Sequence, residues 1–317
     1  MIKIRLSCFD MIYTCIVNYM SHEDTIDCIE SLRLTNEYKA GDLHIIVCDN
    51  DSPGESFDVI NCYFKTRFSG QYTCFRAKAN KGFAYGVNQC VERALSNHDA
   101  QYIWLLNPDC IVRENSLTEL RNSLDKNHAS AGSSVLLNDS REPTIQAAWG
   151  VYLPYLGTTF DAMADKSPLS LNEDHVLGPN QYMVGASILI DIDSVSCSLF
   201  FDESYFMYFE DVDFSFMLFN SKHKIICSSR SRVVHRKGSS VNKSIQMDSR
   251  IKDSLYLKYI ENTVYFSNKY HKKFTPFVKL FLFFRLIKSA LRLDFSKAKI
   301  LAAYLLVRQN KKKLYSV

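Results

Sequence analysis

Between residues 11 and 126 the chain four times runs through an unbroken apolar segment, breaks into polar residues, and resumes as an amphipathic stretch. The apolar segments are MIYTCIVNY (Met11–Tyr19), LHIIVCDNDS ending at Asp49, YTCFRA (Tyr72–Ala77), and YIWLLNPDC running into Asn107-Pro108-Asp109. Strands that are apolar at nearly every position are covered on both faces, which calls for a mostly parallel sheet with helices above and below. The stretches between supply the helices. Ile26, Ile29 and Leu32 make one stripe behind Ser21 and Asp24, which read as a capping box. NKGFAYGVN leads into a helix through about Leu95, and another spans Glu114 to Lys126. The pattern predicts an α/β, Rossmann-like fold. In such sheets ligands bind beyond the carboxyl ends of the strands. The polar clusters at Asn18, Asp49–Ser52, Asn80–Asn88 and Asn107–Asp109 should therefore gather on one edge.

After Gly132 the period loosens, and residues 138–180 read as long loops. YMVGASILID then gives a strand in which Gly185-Ala186 admits a close approach. Next come the acidic run FMYFEDVDF, a helix over Val212–Asn220, a strand at Lys224–Cys227, and VVHRKGSS. There is no internal repeat. Ten cysteines without a C-x-x-C pair exclude a zinc ribbon and read as small buried hydrophobes in a reducing compartment. The N-terminus reads as a strand rather than a signal peptide.

Three carboxylates, Glu210, Asp211 and Asp213, stand among large rings in FMYFEDVDF. Ionised carboxylates avoid such company unless something compensates them. Either they begin a helix, whose unpaired N–H groups favour acids, or one is a base with a tuned pKa. Similar pairs of readings hold elsewhere. Asp49 caps its own turn or binds a ligand; Asn107-Pro108-Asp109 is a turn or a metal site; His235 is structural or a ligand; Gly82 and Gly86 form a plain helix entry or a phosphate loop.

Taken in order, IVNY, VCDNDS, NKGFAYGVNQ, LLNPDC, MVGASILI, FMYFEDVDF and VVHRKGSS resemble the inverting family 2 glycosyltransferases of the GT-A fold. Within that family the chain most resembles the bacterial branch with rhamnosyltransferases of O-antigen and other surface-polysaccharide pathways. The resemblance spans about residues 11–240 and implies a role for each piece. Asp49 accepts from the N3–H of a uracil or thymine ring, and Asn18, Asn80, Lys81, Gly82, Asn88, Gly185 and Ala186 line the donor. Asp109 and His235 hold Mg²⁺ or Mn²⁺ on the diphosphate, while Asn107 stands where the family carries an acid and contacts the ribose or orients Asp109. Asp211 is the general base, Glu210 orients substrate or backbone, and Asp213 caps the helix. Arg236 and Lys237 touch the diphosphate or are solvated. A nucleotidyltransferase is a weaker fit, because IVNYMSHEDT lacks Gly and Arg.

The net charge of +4 conceals an asymmetry: residues 251–317 hold 15 Lys and Arg against 3 Asp and Glu, leaving 23 against 31 in the remainder. Residues 1–250 are thus expected to form the catalytic domain and 251–317 a basic, amphipathic helical tail. FTPFVKLFLFFRLIKSALRL is too interrupted by cations to span a membrane. Its mixture of Phe, Leu and cations suits either a membrane surface or a packing helix in a homo-oligomer. With the resemblance, this implies a dTDP- or UDP-linked sugar donor, a lipid-diphosphate-linked saccharide acceptor, and a peripheral place on the cytoplasmic face of a bacterial inner membrane. Nucleic acid is excluded as a partner by the acidic remainder and the lack of a binding motif. A non-catalytic subunit that binds nucleotide-sugar or glycan is the other class in play, because Asn107 replaces an acid.

Overall fold

A computed structural model describes residues 11–68, 70–195, 200–236 and 249–307. The part of the N-terminal strand reading that falls on residues 1–10, and Lys237, lie outside the described residues. The chain begins β1 (Met11–Asn18), α1 (His22–Arg33), α2 (Asn36–Ala40), β2 (Leu43–Asp49), α3 (Ser56–Arg67), β3 (Tyr72–Arg76), α4 (Phe83–Leu95) and β4 (Ala100–Leu106). It continues β5 (Cys110–Val112), α5 (Ser116–Asn127), β6 (Ala131–Leu137), β7 (Ile145–Ala147), β8 (Gly150–Leu153), β9 (Thr158–Asp161), β10 (His175–Val176) and β11 (Gln181–Tyr182). Then follow β12 (Ser187–Asp191), α6 (Ile192–Val195), α7 (Glu210–Asn220), β13 (Ile225–His235), α8 (Ser249–Tyr270), α9 (Thr275–Leu291) and α10 (Phe295–Val307).

The main sheet has the order β10-β13-β6-β12-β4-β1-β2-β3. β1, β2, β3 and β4 pair in parallel, as does β13 with β6. β12 lies antiparallel between β4 and β6. That reversal positions the site: the start of β12, beside Ser187, meets the end of β4 at Leu106. Alternate residues of β1 enter opposite cores. Tyr13, Cys15 and Val17 join Val87, Cys90 and Val91 of α4; Ile12 and Ile16 join Cys28, Ile29 and Leu32 of α1. Two-sided burial is why these strands read as continuous apolar runs. Among the eight described cysteines, all free, most are buried, as expected of small hydrophobes.

Two features depart from the expectation. Residues 138–180 contain the short strands β7–β10, with β7 on the main sheet and β8 pairing with β11. Such brief strands leave no readable period. Ser21 precedes α1, but its side chain makes no capping bond and donates instead to Asn18 Oδ1 at 3.3 Å.

The chain divides into two compact units. The first comprises residues 1–151, 161–206 and 210–240; the second takes residues 241–317 together with Tyr152–Phe160 and Met207–Phe209. In the second, Ile260 and Val264 of α8 pack with Val278 and Leu282 of α9 and Leu301 of α10. Asn262, almost fully buried, donates to the carbonyls of Met207 and Tyr208, each at 2.9 Å. Tyr208 and Phe209 both adopt positive φ (72° and 75°), a conformation that bulky residues avoid, so those two bonds hold a strained turn directly before Glu210 in the chain.

Candidate active site

The carboxyl edge of β1 and β2 is built on a buried polar node. Asn18 and Asp49 are register partners, and both are fully buried. Asn18 Nδ2 donates to Asp49 Oδ2 at 2.6 Å and to Ser56 Oγ at 2.9 Å, while its Oδ1 accepts from Thr25 Oγ1 at 3.0 Å. Asp49 Oδ1 accepts the Ser52 N–H at 2.9 Å, and Arg76 Nε stands 3.7 Å away. Buried polar groups need this degree of pairing. With these bonds Asn18 and Asp49, both fully buried, brace the loop after β2. Asn88 likewise turns inward, donating to the Phe201 carbonyl and Glu203 and accepting the Phe201 N–H. It straps α4 to the segment before the acidic run.

The loop before α4 is open by comparison. Asn80 Oδ1 accepts from Gly82 N–H and from Asn50 Nδ2, both at 3.1 Å, and Asn50 also donates to the Gly82 carbonyl. Lys81 is exposed, with its ammonium 5.1 Å from the Tyr85 ring centre. Gly82 has φ 104° and ψ 175°, a region open essentially to glycine alone, and an added Cβ would lie 2.2 Å from the Phe206 carbonyl oxygen. Phe83 N–H donates to that same oxygen at 2.8 Å. We expect Gly82→Ala to lower unfolding free energy by about 3 kcal/mol through backbone strain and the forced shift of Phe206. Urea denaturation checks this, and an unchanged midpoint would contradict the close approach.

At the end of β4, the Asn107 N–H donates to the Ala186 carbonyl at 3.0 Å, and Cys110 Sγ donates to it at 3.4 Å. One residue earlier, the Gly185 N–H donates to Asp211 Oδ2 at 3.0 Å. Gly185-Ala186 therefore ties the acidic run to the loop that carries Asp109. They make this tie through backbone groups. The Asn107 amide, partly exposed, has no hydrogen-bond partner among the described residues.

His235 ends β13 opposite Cys110 of β5. Gln146 Nε2 donates to the His235 carbonyl at 3.0 Å, which orients the amide so that its Oε1 accepts from His235 Nδ1 at 2.7 Å. His235 Nε2 then faces Asp109 Oδ1 at 3.2 Å. With the ring hydrogen on Nδ1, two lone pairs confront each other, and a cation or a second proton between them relieves the conflict. Asp109, Cys110 and His235 form a group whose donor atoms lie within 4.8 Å of one another. Burial pushes the Cys110 thiol well up, and with its bond to Ala186 it stays protonated, so it is a poor ligand. One carboxylate and one imidazole remain, a donor set that fits a divalent cation with positions open to phosphate oxygens.

Asp211 begins α7 with Glu210. Its Oδ1 accepts the Val212 N–H at 2.8 Å, beside the Gly185 bond to Oδ2. Burial raises the pKa of both acids. For Asp211 the two N–H groups oppose that rise; for Glu210 the neighbouring carboxylate of Asp211 adds to it. The pair thus separates into a carboxylate held by N–H groups, which is the candidate base, and a neutral acid whose Oε2 is buried with no partner among the described residues. Asp213, expected as a cap, is buried deeper in the helix and accepts from Tyr205 Oη at 3.0 Å. Arg236, expected at the diphosphate or in solvent, pairs with Asp27 at 2.6 Å and Asp139 at 3.1 Å.

Residues 13–170, which hold Asn18, Asp49, the Gly82 loop and Asn107–Asp109, match the family described as Glycosyl transferase family 2. That stretch is similar to a family 2 glycosyltransferase domain. The matched stretch stops before Gly185, Asp211 and His235, which the fold adds to it through β12, α7 and β13. A curated relative, the low-salt glycan biosynthesis hexosyltransferase Agl10 of Haloferax volcanii, is 24% identical over 221 residues. That match covers 68% of this chain and 63% of the relative's length, so it stops short of the whole relative. Among solved structures, residues 1–349 of S. aureus TarS superpose with a TM-score of 0.53 at 11% identity, over 96% of this chain and 93% of that one. GalNAc-T7, solved with UDP, GalNAc and Mn²⁺, superposes with a TM-score of 0.55 at 16% identity, over 71% of this chain and 43% of that one. At such identities the likeness establishes the fold, GT-A-like in its mixed, mostly parallel sheet. Asn50, Gln146 and Tyr205 join the candidate site unannounced: each is an ordinary polar residue whose partner lies elsewhere in the fold.

Proposed function

We propose that this chain transfers a sugar from a nucleotide donor to an acceptor hydroxyl, with inversion at the anomeric carbon. The observation that supports this reading is the short path of hydrogen bonds from Asp211 through Gly185-Ala186 to the Asn107–Asp109 loop, which links the candidate base to the loop of the candidate cation ligand Asp109. Asp211 takes the proton from the attacking hydroxyl, and neutral Glu210 orients the acceptor. Asp109 and His235 would hold Mn²⁺ or Mg²⁺, and the cation when bound supplies neutralising charge to the departing diphosphate. The Asn107 amide meets the donor's ribose, and Asn80, Lys81 and Gly82 meet its phosphates. Asn18, Asp49 and Asn88 set the frame against which the base stacks.

The donor we place first is dTDP-rhamnose, then a UDP-sugar. The acceptor is a hydroxyl of a lipid-diphosphate-linked glycan in O-antigen or capsule synthesis, met at the inner face of a bacterial cytoplasmic membrane. A hexosyltransferase of glycan biosynthesis among the relatives, and a neighbour solved with UDP and Mn²⁺, are in keeping with this. Asn107, neutral where the family carries an acid, favours the second reading, a binding subunit without turnover.

A thermal-shift screen of nucleotide-sugars with and without Mn²⁺ tests the donor half. A ligand at a hundred times its Kd stabilises the native state by about 2.7 kcal/mol, a clear rise in Tm. We expect that rise for dTDP-rhamnose or a UDP-sugar only when Mn²⁺ is present. No rise with any nucleotide-sugar would defeat the proposal, and binding without transfer to any lipid-linked acceptor would favour the second reading.

A further inference from the structure

The second unit holds a basin of about 520 Å³ that the transfer chemistry does not use. Arg285, Lys288, Arg292 and Lys297 line it, against a single carboxylate, Asp294, which Lys297 pairs at 2.7 Å. Arg285 is held by aromatic rings: its Nη2 donates to Tyr256 Oη at 3.3 Å, and its guanidinium carbon lies 5.6 Å from the Tyr256 ring centre and 5.8 Å from that of Tyr259. Among the described residues, Arg285, Lys288 and Arg292 have no carboxylate partner. Three such cations beside the Asp294–Lys297 pair make a concave site of unbalanced positive charge.

The helix that supplies them has three faces. At about 100° per residue, Val278 and Leu282 of α9 point together into the core of the unit. Phe277, Leu280, Phe284, Ile287 and Leu291 project from the opposite side, between 41% and 80% exposed. Arg285, Lys288 and Arg292 follow the border between the two. A continuous exposed apolar stripe of this length calls for a partner, and cations along its margin select an apolar partner with anionic groups at its boundary. No described helix is long and apolar enough to cross a membrane, so such contact is in the plane of the surface.

We propose that the basin and stripe are a lipid-headgroup site: the stripe enters the acyl boundary of a leaflet, while Arg285, Lys288 and Arg292 take the phosphate of an anionic lipid. Guanidinium forks match phosphate oxygens in pairs, and the rings beneath Arg285 keep its fork pre-set. This rests on the surface-bound acceptor of the proposed function, and it names the residues that would hold the chain at that surface.

The test is co-sedimentation of the full chain with vesicles of phosphatidylcholine, with and without phosphatidylglycerol, in the absence of nucleotide and metal. We expect binding only when phosphatidylglycerol is present, weakened by salt. R285Q/K288Q/R292Q should lower vesicle affinity by about a hundredfold or more, from the loss of three charges near the surface. F284S/I287S/L291S should also release the vesicles. Both variants should keep the wild-type Tm and its Mn²⁺-dependent rise with nucleotide-sugar. Equal binding to pure phosphatidylcholine, no binding to either vesicle, or unchanged affinity in the triple-cation variant overturns the proposal. So does a concentration-dependent dimer that the stripe variant dissolves, or a Tm rise with inorganic pyrophosphate in a chain that ignores vesicles. If a variant fails to fold, the wild-type lipid and salt dependence still decides. Sugar transfer to a water-soluble acceptor without vesicle binding removes the headgroup site alone; vesicle binding without transfer removes the chemistry alone.

Discussion

Asp211→Asn should lower kcat by about a thousandfold, within the range that a positioned general base contributes, while nucleotide-sugar still raises Tm. The Asn side chain keeps one oxygen for the N–H groups of Gly185 and Val212 but turns an amide donor toward the other. That misfit costs about 1–3 kcal/mol. Relief of charge burial opposes it. A carboxyl whose folded pKa is raised stabilises the protein fully below its unfolded pKa, near 4, and loses that contribution as pH rises through the folded value. At neutral pH the variant therefore escapes the cost of an ionised buried acid, and its Tm should stay within a few degrees of wild type. Loss of rate without loss of fold is the expected signature. Full activity would remove Asp211 as the base.

The same shift sets the pH profile of the wild type. The base must be ionised, so kcat/KM should rise with pH through a window displaced above the ordinary carboxylate range. Because Glu210 stays protonated across that window, Glu210→Gln should leave the limb in place. A limb that moves downward would mean that Glu210 carries charge while Asp211 titrates.

Asp109→Ala should reduce Mn²⁺-dependent donor affinity by at least about a hundredfold, or roughly 2.7 kcal/mol. It removes the one carboxylate of the candidate donor set and leaves His235 as its remaining candidate ligand among the described residues. Gln146→Leu is the informative companion. It touches neither cation nor substrate, yet it releases the His235 ring, and outer partners of this kind are worth about 10–100-fold in metal affinity. Isothermal titration of Mn²⁺ with UDP or dTDP measures both. Metal-dependent binding that is unaltered in Asp109→Ala would defeat the ligand assignment.

Much of this protein was readable in advance. β1–β4 and the helices between them were legible because two-sided burial writes a continuous apolar run, and one-sided burial writes a stripe. Both patterns are carried by near neighbours in the chain. The edge on which polar residues gather followed from the same logic, since parallel strands place their ends together. The short strands in 138–180 were illegible because two to four residues carry no period.

Chemistry-bearing residues were legible as types and places, and less so as roles. Asn18, Asp49 and Asn88 stand where the resemblance puts donor contacts, yet each directs its polar atoms inward, to partners between 3 and 115 residues away. Asp213 finds Tyr205 rather than a helix end, and Gln146 reaches His235 from a stretch that read as loop. The sequence by itself determined the layered fold, the strand-end edge and the acidic run, because periodicity and turn chemistry are local. Only the tertiary structure decided which polar group faces outward, because a hydrogen bond or a shifted pKa depends on atoms brought close by folding, whatever their separation along the chain.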